Sequence, residues 1–321
     1  MLKLQGEDAG MREPVECYPT AAEVDAWCED ILRRAQAADL SAELIEDEPW
    51  DFRLGVRHTQ GRYVRFRSQT LGEWHGFHQA CPSGRGPVLI HVPGYGAEMS
   101  AHPELVSDGY NVLHVNPLGY ATPSGADETK REGETWPVLP DTIHSLGREG
   151  YVDWLAQATA ATLWALRQEC VEPDRFAFFG TSQGGGTSLL LASIFRDRGV
   201  RAAAADVPFL TDFSTAMGLE NSGAYWIART PMERLTGERP GDVPAAWRAL
   251  GLVDTLSHAH RLTMPVLLTA GALDEACPPA TIRALFDRLP GTRSYTELAR
   301  QGHAYTTPFL HLARAWFRLY V

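Results

Sequence analysis

The chain has 321 residues, with 29 Lys and Arg against 40 Asp and Glu and a formal net charge of -11. An acidic chain without clustered Lys and Arg argues against nucleic acid as its main partner, because phosphate binding needs such clusters. A hydrophobic fraction of 44% with 21% charged residues excludes a disordered chain, and no apolar run approaches the length of a membrane span.

Residues 1–10 hold Lys3, Glu7 and Asp8 and no apolar stretch of signal-peptide length, so a cytoplasmic location is expected. The five cysteines (Cys17, Cys28, Cys81, Cys170, Cys277) are odd in number and lack metal-type spacing, which points to reduced packing residues. The length suits one α/β domain spanning 1–321.

Thr20-Ala21-Ala22-Glu23 is a capping box, and Val24, Trp27, Ile31 and Ala35 behind it fall on one helical face. Short alternating runs at 63–66 and 73–77, set off by Gly61 and Gly72, predict antiparallel strands, so 20–80 reads as a helix and strands leading into a sheet. Apolar runs at 87–92, 110–115, 175–179, 202–207 and 265–269 read as strands buried on both faces. Helical stretches at 151–169, 188–198 and 279–289 separate the later ones. Strands alternating with helices predict a doubly wound, mostly parallel α/β sheet with its site at the carboxyl ends of the strands. Two stretches exceed a minimal α/β unit. Residues 119–150 are polar and rich in Gly and Pro, the composition of a functional loop or cover. Residues 211–260 read as a cap or an interface insertion.

Gly180-Thr181-Ser182-Gln183-Gly184 follows an apolar strand and precedes a helix, the setting of a nucleophile elbow. Ser182 is the candidate nucleophile, and Gly180 and Gly184 leave room for the strand and helix to meet beside it. A serine hydroxyl needs a histidine to take its proton and a carboxylate to orient that histidine. Asp274 follows the strand at 265–269, with Glu275 as a rival acid, and His303 follows the apparent last strand at 294–298. The order Ser182, Asp274, His303 is that of the α/β-hydrolase fold. The Gly94-Tyr95-Gly96 turn predicts an oxyanion hole from the N–H groups of Tyr95 and Gln183. His91, His102, His258 and His260 read as structural or surface residues. His75 and His78, three apart, cannot share a strand face, so neither they nor His58 suggest a metal site.

Three segments, Ser182-Gln183-Gly184-Gly185-Gly186, Val207-Pro208-Phe209-Leu210-Thr211-Asp212-Phe213 and Asp274-Glu275-Ala276-Cys277-Pro278-Pro279, resemble the acetyl xylan esterase and cephalosporin C deacetylase family, the seventh carbohydrate esterase family. The Gly94-Tyr95 turn and the helix bearing Trp27 fit the same pattern, so the resemblance covers nearly the whole chain. It implies an α/β-hydrolase that removes acetyl groups from small oxygen esters, needs no metal or organic cofactor, and forms cytoplasmic homo-oligomers, often hexamers.

Two family signatures differ. Leu118-Gly119-Tyr120 stands where Arg-Gly-Gln is expected, and His303-Ala304 where His-Glu is expected. These departures leave the acetylated-sugar substrate and the hexamer open. Tyr120, Trp136, Pro208 and Phe209 are the candidates for the substrate pocket. The same triad also suits an amide, a lactone, a carbon–carbon bond or acyl transfer, and the alternative from another class is a non-catalytic binding scaffold.

Overall fold

A computed structural model describes residues 14–45, 50–51, 56–57, 61–95, 101–116, 121–122, 125–126, 150–220, 222–304 and 306–321. The chain is built on one nine-stranded sheet. In chain order its strands are β1 Ser41–Leu44, β2 Arg62–Ser68, β3 Gly72–Gln79, β4 Gly86–Val92, β5 Asn111–Asn116, β6 Val171–Thr181, β7 Val200–Asp206, β8 Val266–Gly271 and β9 Arg293–Leu298. Their spatial order is β1-β2-β3-β5-β4-β6-β7-β8-β9. The pairs from β1 to β5 are antiparallel, and every pair from β5 onward through β4 to β9 is parallel. This is the α/β-hydrolase fold, with the carboxyl ends of β4, β6, β7, β8 and β9 at one edge.

The central strands alternate between two cores. Val88, Ile90 and Val92 of β4 join one apolar cluster and Leu89 the other, as the two-residue repeat of a strand requires. The first cluster is covered by α1 Ala21–Ala37, α3 Gly150–Ala165, α4 Gln183–Ile194 and α8 Pro279–Arg288. The second is covered by α2 Pro103–Ser107 and α9 Thr307–Tyr320, whose Phe309, Ala313 and Phe317 are buried. Arg314 and Arg318 of α9 both reach Asp108, at the end of α2, so the two covering helices are tied together.

The capping box forms as the sequence requires: Glu23 N–H donates to Thr20 Oγ1 and Thr20 N–H to Glu23 Oε2. The fully buried face of α1 is Val24, Cys28, Ile31 and Ala35. Cys28 takes the central place expected for Trp27, because a 24, 28, 31, 35 spacing runs straight along a helix and Trp27 falls at its margin. Replacing Thr20 by alanine leaves an N-terminal donor of α1 unpaired. The expected loss is about 1 kcal/mol of stability, read as a lower urea midpoint that Thr20→Asn largely restores.

Several boundaries differ from the sequence expectation, and two of them have a clear physical cause. Helix α4 begins at Gln183 rather than 188, although its first turn holds Gly184, Gly185 and Gly186. Glycine disfavours helix, but here its lack of Cβ is what lets the helix pack, so tertiary contact overrides propensity. Strand β6 begins at Val171 rather than 175, with a register shift before Phe176. Pro173 lies in that shift and has no N–H to give to the ladder.

The 211–260 stretch holds α5 Phe213–Gly218, α6 Trp226–Glu238 and α7 Val243–Val253. Its two ends close on each other: Thr255 N–H donates to Leu210 O at 2.8 Å, and the Thr211 and Thr255 hydroxyls are 2.8 Å apart. The buried Asp254 carboxylate accepts from the N–H groups of Asp212, Phe213 and Leu256 and from the Tyr18 hydroxyl. All five cysteines are free thiols. Among the described residues no helix is long and apolar enough to cross a membrane.

Candidate active site

Ser182 is the single residue between the end of β6 at Thr181 and the start of α4 at Gln183. Its backbone is held at φ 57°, ψ −122°, a conformation that costs a non-glycine residue on the order of 1–3 kcal/mol. The surroundings impose it. Ser182 N–H donates to Asp206 O at 2.8 Å, and Ser182 O accepts from Gly186 N–H and Phe209 N–H at 3.0 Å each. A Cβ on Gly184 would stand 2.0 Å from Val92 O, so only glycine lets α4 approach the end of β4.

The candidate acid and base follow β8 and β9, beyond the intervening β7. After β8, the turn at 271–274 closes by an Asp274 N–H bond to Gly271 O at 3.1 Å. The Asp274 carboxylate is buried; its Oδ1 accepts from Ala276 and Cys277 N–H at 2.8 Å each. Its Oδ2 lies 2.9 Å from His303 Nδ1, and His303 Nε2 lies 2.8 Å from Ser182 Oγ. A carboxylate only accepts, so Nδ1 carries the proton and Nε2 is left to accept from the serine hydroxyl. Glu275, the rival acid, is exposed on the surface of the same turn.

Two supporting residues escaped the sequence reading. A Cβ on Gly271 would meet Gln301 O and Gly302 O at 2.7 Å, so this glycine lets the His303 loop lie against the Asp274 turn. Asp206 lies fully buried beneath the elbow, taking a hydrogen bond from Thr269 at 2.5 Å and a longer one from Thr181 at 3.4 Å. Burial pushes its carboxyl up to about 6, while those bonds and the nearby His303 pull the other way. The signal available was an acid ending the otherwise alanine-rich run 202–205 at a strand's carboxyl end.

The Gly94–Tyr95 turn lies against the elbow: a Cβ on Gly94 would sit 3.2 Å from Thr181 O and 3.7 Å from Ser182 Cβ. Gln183 is the first residue of α4, where a helix leaves its N–H without an intrahelical partner. Its side chain is buried, and neither amide atom has a hydrogen-bond partner among the described residues. Pro208 and Phe209 are also buried beside the elbow. The Phe209 ring packs on Phe213 and Tyr225, which places it with the core under Ser182. Tyr120 and Trp136 lie outside the described residues, as does the Leu118-Gly119-Tyr120 stretch.

A second serine and histidine pair occurs elsewhere. Ser193 Oγ and His258 Nδ1 are 2.8 Å apart, with Cys28 Sγ against both and His258 Nε2 donating to Leu252 O. Ser193, His258 and Cys28 are all fully buried, and burial lowers the His258 imidazole to about 4. Buried from solvent, and with Leu252 O rather than a carboxylate on the second ring nitrogen of His258, the pair serves to lock α1, α4 and the segment after α7 together.

Acetyl xylan esterase 1 from Thermoanaerobacterium sp. JW/SL YS485 has the same fold at a TM-score of 0.75 and 21% identity, over 93% of this chain and 94% of its own. An acetyl xylan esterase from Paenibacillus sp. R4 matches at 0.72 and 20%, over 96% and 99%. An acylaminoacyl peptidase from Pyrococcus horikoshii matches at 0.58 and 19%, over 80% of this chain but 41% of its own. At these identities the likenesses speak for the α/β-hydrolase fold. The sequence model of the acetyl xylan esterase (AXE1) family matches residues 21–319. With the fold and the elbow in place, that match across nearly the entire length means that the chain belongs to the acetyl xylan esterase (AXE1) family.

Proposed function

We propose that this chain is a serine carboxylic ester hydrolase acting on short-chain, foremost acetyl, oxygen esters of small molecules. The observation that carries the reading is the continuous relay from Asp274 Oδ2 through His303 to Ser182 Oγ, with contacts of 2.9 and 2.8 Å. In this reading Ser182 Oγ attacks the ester carbonyl carbon as His303 Nε2 takes its proton, and Asp274 stabilises the imidazolium. The N–H groups of Tyr95 and Gln183 receive the oxyanion; losing one such donor costs about 10²- to 10³-fold in rate. His303 returns the proton to the leaving alcohol, and water then repeats the sequence on the acyl-enzyme. None of these steps requires a metal or an organic cofactor. The acetyl preference draws its support from the family.

A p-nitrophenyl ester series from acetyl to octanoyl tests the reading. The expected result is hydrolysis that depends on Ser182, with kcat/KM highest for acetyl and lower by about tenfold or more at the longer chains, since a pocket closed at acetyl has no room for added methylenes. A maximum at octanoyl would overturn the short-acyl assignment, and no Ser182-dependent hydrolysis of any ester would overturn the enzyme class.

A further inference from the structure

The sheet brings together three histidines that the sequence keeps well apart. The strand registers pair Phe77 with His114, His114 with His91 and His91 with Phe179, so one row of side chains crosses β3, β5, β4 and β6. His102, immediately before α2, comes over this row, its N–H held by Gln79 Oε1 at 2.8 Å. The His91 ring lies 4.6 Å from that of His114 and 4.4 Å from that of His102, centre to centre. Phe179 packs against both His91 and His102. All three imidazoles are buried.

We propose that His91, His102 and His114 form a buried site for one divalent transition metal ion, zinc foremost, which fastens the segment carrying Tyr95 to the sheet. One ring nitrogen from each histidine lies within 4.8 Å of the others. His91 Nδ1 and His114 Nδ1 are 2.8 Å apart. Zinc with tetrahedral nitrogen ligands at about 2.0–2.1 Å holds its donors about 3.3 Å apart, between those two distances. Small ring rotations therefore convert the cluster into a ligand set, with a water for the fourth position.

Other features of the site favour a metal over a merely packed core. His102 Nδ1 faces Glu104 Oε1 at 3.6 Å, and its buried Nε2 has no hydrogen-bond partner among the described residues. A carboxylate on one ring nitrogen with the other left open is how metal-ligating histidines are oriented. The single proton shared between His91 Nδ1 and His114 Nδ1 moves to the Nε2 of its own ring when the metal binds, so that pair releases no net proton.

The placement gives the site a task. His91 lies three residues before Gly94, and His102 lies seven after Tyr95, so a shared ion closes both ends of the segment between them. Metal binding does not depend on the esterase reading, and the experiment reads it without activity. Protein made without a histidine tag is stripped with EDTA, then titrated with Zn²⁺ and with Co²⁺ as a spectroscopic probe. The expected result is one equivalent bound, the visible bands of four-coordinate cobalt, and a thermal midpoint that rises with zinc concentration.

His102→Gln should abolish the cobalt bands. Glu104→Gln, a half-buried and nearly isosteric replacement on the first turn of α2, should weaken zinc binding about 10- to 100-fold while the protein still folds. His303→Ala should bind as the parent does. Equal zinc affinity in the parent, His102→Gln and Glu104→Gln would overturn the site, as would a bound equivalent lost only in His303→Ala, which would place the ion at the triad.

Discussion

Removing Ser182 and His303 together is expected to cost no more activity than removing either alone. Each single alanine variant should lower kcat on p-nitrophenyl acetate by about 10⁶-fold, and the double variant should match them, because nucleophile and base act as one unit. The geometry behind this is the 2.8 Å contact between His303 Nε2 and Ser182 Oγ: without the imidazole the hydroxyl keeps its proton, and without the hydroxyl the imidazole has nothing to activate. Asp274→Asn should cost about 10⁴-fold, since an amide can donate to Nδ1 and so favours the wrong tautomer. Ser193→Ala separates this reading from one built on the buried Ser193–His258 pair. It should keep nearly full activity while losing about 1 kcal/mol of stability with its hydrogen bond. Additive losses in the double variant, or an inactive but folded Ser193→Ala, would refute the assignment.

The largest expected effect on stability is at Asp254. Alanine there strands three buried N–H groups, those of Asp212, Phe213 and Leu256, and the Tyr18 hydroxyl, all of which now donate to one carboxylate. Each buried donor left unpaired costs about 1–3 kcal/mol, so a total loss of about 4 kcal/mol or more is expected in urea unfolding. Asp254→Asn keeps one acceptor oxygen and should lose about half as much.

The comparison with asparagine also depends on pH. Burial pushes the Asp254 carboxyl up to about 6, with its hydrogen bonds pulling the other way. The native state therefore favours the protonated acid, and the stability this contributes is full below about pH 4, the unfolded value, and is lost as pH rises through about 6. Asparagine has no such contribution, so the stability gap between wild type and Asp254→Asn should narrow from pH 4 to 6 and then level off. Asp206, also raised, is present in both proteins and cancels. A gap that widens over that range would mean that the hydrogen bonds to Asp254 outweigh its burial.

The sequence by itself determined where in the fold Ser182, Asp274 and His303, its candidates for the chemistry, would fall. Parallel strands deliver their carboxyl ends to one edge, so a serine after β6, an acid after β8 and a histidine after β9 are gathered there by topology. The amphipathic α1 with its cap, the antiparallel β2–β3 pair and the central buried strands were legible for the same reason: their signals are local and periodic.

What depends on approach between distant segments was not legible. The elbow pattern put Gln183 at a helix start, yet the helical run reads only from 188, and only the backbone oxygens of Val92, Asp206 and Phe209, which a Cβ on Gly184, Gly185 and Gly186 would meet, explain why three glycines belong in the first turn of α4. Gly271 is informative only once the 301–302 backbone lies against it, and Asp206 only once β7 passes under the elbow. Tertiary structure alone brought together His91, His102 and His114. Strand register places the first and last side by side, and the entry to α2 sets the second over them. Spacing along the chain records none of this, because hydrogen-bonded pairing across the sheet fixes which residues become neighbours.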